Sequence, residues 1–427
     1  MNSVGKIITV CNILLALYNF MCFSVFRGHT EPCVVVLNNS QLQHAAENGL
    51  VKESELAPEP LKQKTVLESS ATLTQEFRGD FVVLPNYIRA RGAPPDFNKS
   101  VTYTTQATPD FFFPHVTELC NRWGGPISLA VYAPGSDLAV VNSMLAHQVR
   151  CDPCTAQNVS FHIVYHGKHT PPNIPNDPEQ YIASLKYDCE KPPHDDSSYR
   201  KLANLTYPIN VLRNVARLRA ETKYVLASDI ELYPSANIIP RFIKLMESAP
   251  MSRGVYPLPV FEVEKGQAVP QTKADLQQLY ADRRAIFFHW YVCDKCHSFP
   301  ERHRWIHQNE TNSTALGVFV TTKRRKDRSF WEPFYIGTNE EPLYPEELTW
   351  EGKRNKMPQI FEMCLMDYDF RILNDAFLCH APGIKRINLK ELASRFPSMR
   401  QTEAFYSSIL SRIKNKHSNG LEPEECL

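Results

Sequence analysis

The passage Tyr207–Ser235, YPINVLRNVARLRAETKYVLASDIELYPS, constrains the fold more than any other stretch of the chain. Pro208 suits the first turn of a helix, where its missing N–H costs nothing. Ile209, Leu212, Val215, Ala216 and Leu218 then recur at helical spacing. After Thr222 the pattern becomes a short apolar run, Tyr224–Ala227, which reads as a buried strand feeding into Ser228-Asp229-Ile230-Glu231. Residues i and i+2 of an extended segment point the same way, so Asp229 and Glu231 can offer two carboxylates to one hard cation. An isolated acid-x-acid pair can equally do no more than cap a turn before Pro234. The rest of the chain has to decide between these readings.

The strongest topological signal lies at the amino terminus. Lys6 precedes the uncharged stretch Ile7–Phe26, and Arg27 closes it. As a helix that stretch spans a hydrocarbon core of about 30 Å. Asn12, Asn19 and Ser24 dilute it, so a cleaved secretory signal is the competing reading. No small-x-small cleavage site follows, which favours a signal-anchor. Six N-x-S/T sequons, at Asn38, Asn98, Asn158, Asn204, Asn309 and Asn312, fit a luminal chain. Of twelve cysteines, Cys11 and Cys22 lie within the anchor and leave an even number compatible with disulfides. The expected order is a cytoplasmic tail (1–6), an anchor (7–26), a polar stem (27–76), a catalytic domain (77–413) and a polar tail (414–427). Basic and acidic residues balance at 47 and 46, so nothing points to a nucleic-acid partner. A homodimer remains compatible with the sequence.

Ile127–Ala133 reads as a strand, Ser136 and Asp137 can cap a helix running to Val149, and Phe161–Tyr165 is a second buried strand. That spacing argues a parallel sheet. Ligands of open α/β sheets sit beyond the carboxyl ends of the strands, which is where Asp229 falls. Further on, Val255–Val263 is expected as an edge or broken strand because of Pro257 and Pro259. Thr272–Ile286 is expected as a helix, Trp331–Ile336 and Asp369–Leu373 as strands, and the helix from Leu389 as interrupted at Pro397. His380, in AFLCHAPG, follows a predicted strand. Its imidazole would suit Mn²⁺ better than Mg²⁺ as a third ligand beside Asp229 and Glu231, although a lone loop histidine commonly does no more than hydrogen-bond.

The segments YPINVLRNVAR, YVLASDIELYPS, WEPFYI and PLYPEELTWEGKRNKMPQIFEMCLMDYDFRILNDAFLCHAPG resemble glycosyltransferase family 49. The resemblance covers Phe81 to Leu389. It implies an α/β GT-A nucleotide-sugar transferase fold, a Rossmann-like mixed sheet flanked by helices. It also implies a type II Golgi membrane protein and an inverting, Mn²⁺-dependent reaction with a UDP-sugar donor. The family's acid-x-acid motif falls on Asp229 and Glu231, with Glu where the known vertebrate enzymes carry a second Asp, and its late histidine on His380.

The resemblance places the nucleotide near the helix that carries Asn210, Arg213, Asn214 and Arg217, so Asn210, Arg213, Asn214 and Asp229 are donor-binding candidates. A solvated polar face is the alternative. Arg354, Asn355 and Lys356 match a family segment near the active site, where Asn355 and Lys356 could meet the diphosphate. In WEPFY, Trp331 and Tyr335 could stack on an acceptor sugar. Glu332 among these rings would have a raised pKa and could serve as general base; Asp367 and Asp369 are its rivals. By analogy, the expected reaction moves glucuronate to a xylose-ended O-mannosyl glycan. Another UDP-sugar such as UDP-N-acetylglucosamine, or a luminal glycan-binding protein with weak turnover, are the rival readings. Cys293-Asp294-Lys295-Cys296-His297 has a haem-attachment spacing, but beside an anchor and sequons it reads as disulfide chemistry, as do Cys151 and Cys154.

Overall fold

Strands that are buried along their whole length have to be covered on both faces, and in this chain such strands form the middle of a sheet. A computed structural model describes residues 73–193, 198–248, 253–311, 313–418, 420 and 422–427. In chain order the strands are β1 (Glu76–Arg78), β2 (Phe81–Ile88), β3 (Val101–Ala107), β4 (Ile127–Tyr132), β5 (Val159–His166), β6 (Tyr224–Ala227) and β7 (Leu232–Pro234). They continue with β8 (Gly254–Pro257), β9 (Val260–Val263), β10 (Ala285–Phe287), β11 (Val318–Thr322), β12 (Tyr335–Gly337), β13 (Asp369–Leu373) and β14 (Leu378–His380).

Ten of them form one mixed sheet in the order β1-β2-β5-β4-β3-β6-β12-β8-β13-β11. The run β5-β4-β3-β6 is parallel throughout, whereas β2 and β12 join its two sides antiparallel. The expected parallel unit is therefore the centre of a mixed sheet. Two long helices, α1 (Pro109–Trp123) and α2 (Asp137–Cys151), pack beside it, and their buried Phe112, Val116, Leu119, Val141 and Leu145 join the main core. Helix α3 (Ile209–Leu218) lies against β3 and β4 and buries Val211, Leu212, Val215 and Ala216 with Ala130 and Tyr132.

A second sheet, β10-β9-β14-β7, is built from the segments that leave the first one. Pro257 and Pro259 break the expected Val255–Val263 strand in two: β8 stays in the large sheet and β9 starts the small one. In the small sheet β14 runs antiparallel to β7, with His380 in register with Leu232.

Three expectations change. The helix after Thr272 covers only Lys273–Ala281, and its last residues become β10. The WEPFYI strand shrinks to β12, because Trp331 to Phe334 precede the pairing region. The last long helix, α4 (Leu389–Lys416), runs through Pro397 without a break. Among the described residues four disulfides join Cys120 to Cys154, Cys151 to Cys189, Cys293 to Cys296 and Cys364 to Cys426, and Cys379 is a buried free thiol. Cys151 and Cys154 are thus both bridged, to different partners.

The predicted span 7–26, most of the stem, Asn38 and Asn312 lie outside the described residues. Among the described residues no helix is long and apolar enough to cross a membrane. Asn98, Asn204 and Asn309 are exposed, while the Asn158 amide donates to the Cys154 carbonyl at 3.1 Å.

Candidate functional site

Asp229 leaves the carboxyl end of β6, and the chain there is fixed from beneath. The Ser228 amide donates to the Thr104 carbonyl at 3.0 Å, and the Tyr103 hydroxyl donates to the carbonyls of Asp229 and Leu232 at 3.0 and 2.7 Å. One carboxylate oxygen of Asp229 accepts from Arg213 Nη2 at 3.0 Å and from Gln106 Nε2 at 2.9 Å. Burial pushes this carboxyl up, but the Arg213 and Lys356 charges and the two donors outweigh it and hold it well below the usual carboxylate range.

The polar face of α3 is not solvated. Asn210 donates to the Pro345 and Asn355 carbonyls at 2.7 and 2.8 Å. Asn214 donates to the Tyr344 carbonyl and to Glu346, and accepts from the Tyr344 amide. Arg217 donates to the carbonyls of Thr338, Glu341 and Pro342. The face is a template on which the segment 338–355 is laid down. Arg213 alone reaches beyond it, with Nη1 donating to the Asn355 side chain at 2.6 Å and Nη2 to Asp229. Arg213, Asp229 and Asn355 are therefore together, whereas Asn210 and Asn214 hold the 338–355 segment, and the Asn210 side-chain oxygen also accepts from Arg213 Nη1 at 3.1 Å.

Glu231 meets His380 across β7 and β14. The Ala381 amide donates to the Glu231 carbonyl at 2.8 Å, and Glu231 Oε1 lies 3.2 Å from His380 Nε2 and 3.1 Å from Lys385 Nζ. Burial raises the Glu231 carboxyl, and the His380 contact and the Lys385 charge turn the balance downward. Behind them the buried carboxylate of Glu262 ties two loops together. One oxygen accepts from the His289 amide at 3.2 Å and the other from the Lys385 amide at 3.1 Å.

Glu332 faces Lys356 Nζ at 3.8 Å and His297 Nε2 at 3.9 Å. Burial raises its pKa above the ordinary value against the pull of Lys356 and Arg213. Lys356 also lies 3.8 Å from the centre of the Phe334 ring, and burial lowers its pKa against Glu332 and Asp229. Trp331 and Tyr335, by contrast, are core residues, 2% and 5% exposed, with Trp331 packed on Phe370. They offer no open ring to a sugar. Arg354 pairs with Glu403 at 2.8 Å on the surface, and Asp367 and Asp369 are engaged by Lys323 and Arg325 or Arg371.

Several polar groups at the Asp229 end went unnoticed in the sequence. Gln106 ends the otherwise unremarkable strand VTYTTQA, yet its amide holds Asp229 while its Oε1 is buried without a partner. The Ser228 and Tyr207 hydroxyls are buried and unpartnered as well. A glutamine at the carboxyl end of an inner strand was the available signal.

The donor chemistry of Glu231 and His380, a carboxylate and an imidazole 3.2 Å apart, fits a divalent cation such as Mn²⁺. Asp229 is turned toward Arg213 instead, and among the described residues no three His, Cys, Asp or Glu side chains converge on one point. The structure thus joins two of the three expected ligands and leaves the third, Asp229, two residues before Glu231 in the chain.

A family profile described as "Glycosyl-transferase for dystroglycan" matches residues 100–418. The chain is 31% identical over 274 residues to β-1,4-glucuronyltransferase 1 of Danio rerio, covering 62% of this chain and 63% of that protein. It is 26% identical over 377 residues to the Homo sapiens β-1,4-glucuronyltransferase 1, covering 85% of each. Xylosyl- and glucuronyltransferase LARGE2 of Mus musculus is 24% identical over 70% of this chain and 37% of its own length. Among solved structures, Staphylococcus aureus TarS in complex with UDP aligns with 75% of this chain and 72% of its own, at 11% identity and a TM-score of 0.31. That likeness is too slight to inform the site.

Proposed function

This chain belongs to the family of glycosyl-transferases for dystroglycan, and from that premise we propose that it moves a sugar from a UDP-sugar to a glycan hydroxyl with inversion. Glucuronate is the first choice of sugar, because the relatives named above are glucuronyltransferases. A xylose-ended acceptor, a GT-A fold and a type II Golgi location complete the reading. The observation that carries it is the meeting of Asp229, Arg213, Lys356 and Glu332 at the end of the parallel strands, with Glu231 and His380 beside them. Two basic groups and an acid with a raised pKa are what a departing diphosphate and an attacking hydroxyl require.

In this mechanism Glu332, as carboxylate, accepts the proton of the acceptor hydroxyl. The hydroxyl oxygen bonds to the anomeric carbon while the bond from that carbon to the UDP oxygen breaks. One base suffices, because the displacement is a single step. Lys356 and Arg213 face the charge that develops on the leaving diphosphate. Glu231 and His380 would hold Mn²⁺, with Asp229 joining them only by turning away from Arg213, and the bound ion would supply Lewis-acid neutralisation of that diphosphate.

The test is a panel of UDP-sugars assayed for hydrolysis and transfer with Mn²⁺ present. Turnover of UDP-glucuronate above the other donors is expected. No turnover with UDP-glucuronate would remove the first choice of donor, and absence of UDP binding by calorimetry would remove the transferase reading.

A further inference from the structure

The aromatic residues singled out for acceptor stacking are buried, yet three consecutive large side chains stand exposed beside the same site. Trp290 is 40%, Tyr291 43% and Val292 37% exposed. Such residues on a mobile loop would need no explanation. These are held firmly. Trp290 stacks on Phe287 with ring centres 6.4 Å apart, and the Arg302 guanidinium lies 4.8 Å from its ring. Arg302 is itself fixed by two bonds to Asp294, at 2.5 and 3.0 Å. The Cys293–Cys296 bridge closes the turn that follows, and the His289 amide before it is bound by Glu262.

The same carboxylate of Glu262 places the second component. Its other oxygen binds the Lys385 amide, and the next residue, Arg386, lays its guanidinium 4.4 Å from the centre of the Tyr291 ring. Arg386 is exposed and has no ion pair among the described residues. The surface is linked to the reaction centre through two rings. His380 stacks on Phe288 at 5.8 Å, and Phe288 on His289 at 3.8 Å, one residue from Trp290.

We infer that Trp290, Tyr291 and Arg386 form the acceptor platform of the transferase, and that its occupant is a saccharide bearing an acidic group. The inference rests on the transferase reading above. The apolar face of a pyranose covers an indole ring with C–H groups at dispersion distance. A ring already fixed by its neighbours loses little entropy when it is covered. Arg386, free of carboxylates and backed by Tyr291, supplies a planar fork for a carboxylate or phosphate on the same or the next residue of the glycan. Lys385, one position away, is spent on Glu231 and leaves this task to Arg386.

The experiment titrates the full chain with xylobiose, with the acidic disaccharide xylosyl-glucuronate, and separately with UDP, following tryptophan fluorescence and heat. The wild type is expected to bind the acidic disaccharide about tenfold more tightly than xylobiose. Trp290→Ala should weaken both saccharides by at least roughly tenfold, Trp290→Phe should restore most of that loss, and Arg386→Gln should erase the preference for the acidic one. UDP affinity should stay the same in all three. Unchanged saccharide affinity in Trp290→Ala overturns the platform, as does a wild type that binds UDP and neither saccharide. Loss of binding to phosphatidylcholine vesicles in Trp290→Ala, with saccharide binding intact, would assign the patch to a membrane and also overturn it. A wild type that fails to bind UDP sinks the donor reading, whatever the saccharides do.

Discussion

Glu231 and His380 face each other at 3.2 Å although 149 residues separate them in the chain. Their meeting is a product of backbone register: β14 pairs with β7 so that His380 lies opposite Leu232 and the Ala381 amide bonds the Glu231 carbonyl. If the pair holds Mn²⁺, Glu231→Gln and His380→Ala should each weaken Mn²⁺ binding by at least roughly tenfold, read from the free-ion signal in electron paramagnetic resonance. Wild-type affinity in both variants would remove these two residues from the metal site.

Glu332→Gln should lower kcat by about 10²- to 10⁴-fold, the usual worth of a general base, while UDP affinity stays within experimental scatter. The acid limb of the kcat profile follows from burial. Because the carboxyl is raised above 4.5 and acts as carboxylate, activity is lost as pH falls through that raised value. Lys356 pulls the value down, so Lys356→Met should move the limb to higher pH. A limb that stays put in Lys356→Met would show that another group titrates.

Arg213→Ala removes the side chain that, among the described residues, ties Asp229 to Asn355. With Arg213 almost wholly buried, the loss should destabilise the protein by about 3 kcal/mol, discounted somewhat because Asp229 keeps partial access to water. UDP affinity should fall with it. Arg213→Lys should recover part of the stability and little of the UDP affinity, because an ammonium cannot reach both partners as the guanidinium fork does. Chemical denaturation and calorimetry check the two effects separately.

His162 should set part of the acid sensitivity. Its Nδ1 accepts from the Asn86 amide at 2.9 Å, and its Nε2 lies 2.9 Å from the Ser128 hydroxyl, which donates onward to the Ala216 carbonyl. A proton on Nδ1 would oppose the Asn86 N–H, and burial, with Arg219 and Arg89, pushes the pKa down to about 3. The unfolded chain takes up this proton near 6.5 and the folded one only near 3. Stability is therefore complete above the upper value and falls as pH drops toward the lower one. His162→Gln should be less stable at neutral pH and show a shallower loss of Tm between about pH 7 and about pH 4. Parallel slopes in the two proteins would contradict this.

The readable parts of the chain were those whose local pattern and tertiary role agree. Tyr224–Ala227 and Asp369–Leu373 form strands with the expected bounds, since an apolar run leading into polar turn residues has one good use in an α/β sheet. Val101–Ala107 escaped notice because VTYTTQA carries three threonines and a glutamine, although every residue is buried. The Thr102 hydroxyl is met by Thr222 at 2.6 Å, 120 residues away and invisible to local pattern, while the Thr104 and Thr105 hydroxyls are buried without a partner. Pro397 misled in the opposite sense: one lost hydrogen bond does not end a helix whose far half is held by Ile409 and Ile413 against Phe361.

At the site, Asp229, Glu231, His380, Glu332 and Lys356 were legible as residue types with chemistry. Which partner each carboxylate chooses was not, since that depends on side chains brought in from other elements. Gln106 and Glu262 carried no motif, and both act by gripping what the motifs supply.

Cys379 sits buried in β14 one residue before His380, with its thiol pushed up to about 12. Only thiolates exchange with disulfides. A chain in which β14 were not paired with β7 would leave Cys379 open to exchange with the described bridges. Once the strand is in place, eight described cysteines remain, and about a hundred pairings of them are conceivable. Burial in the paired strand thus keeps the ninth described thiol out of exchange with these bridges, in the same strand that brings His380 to Glu231.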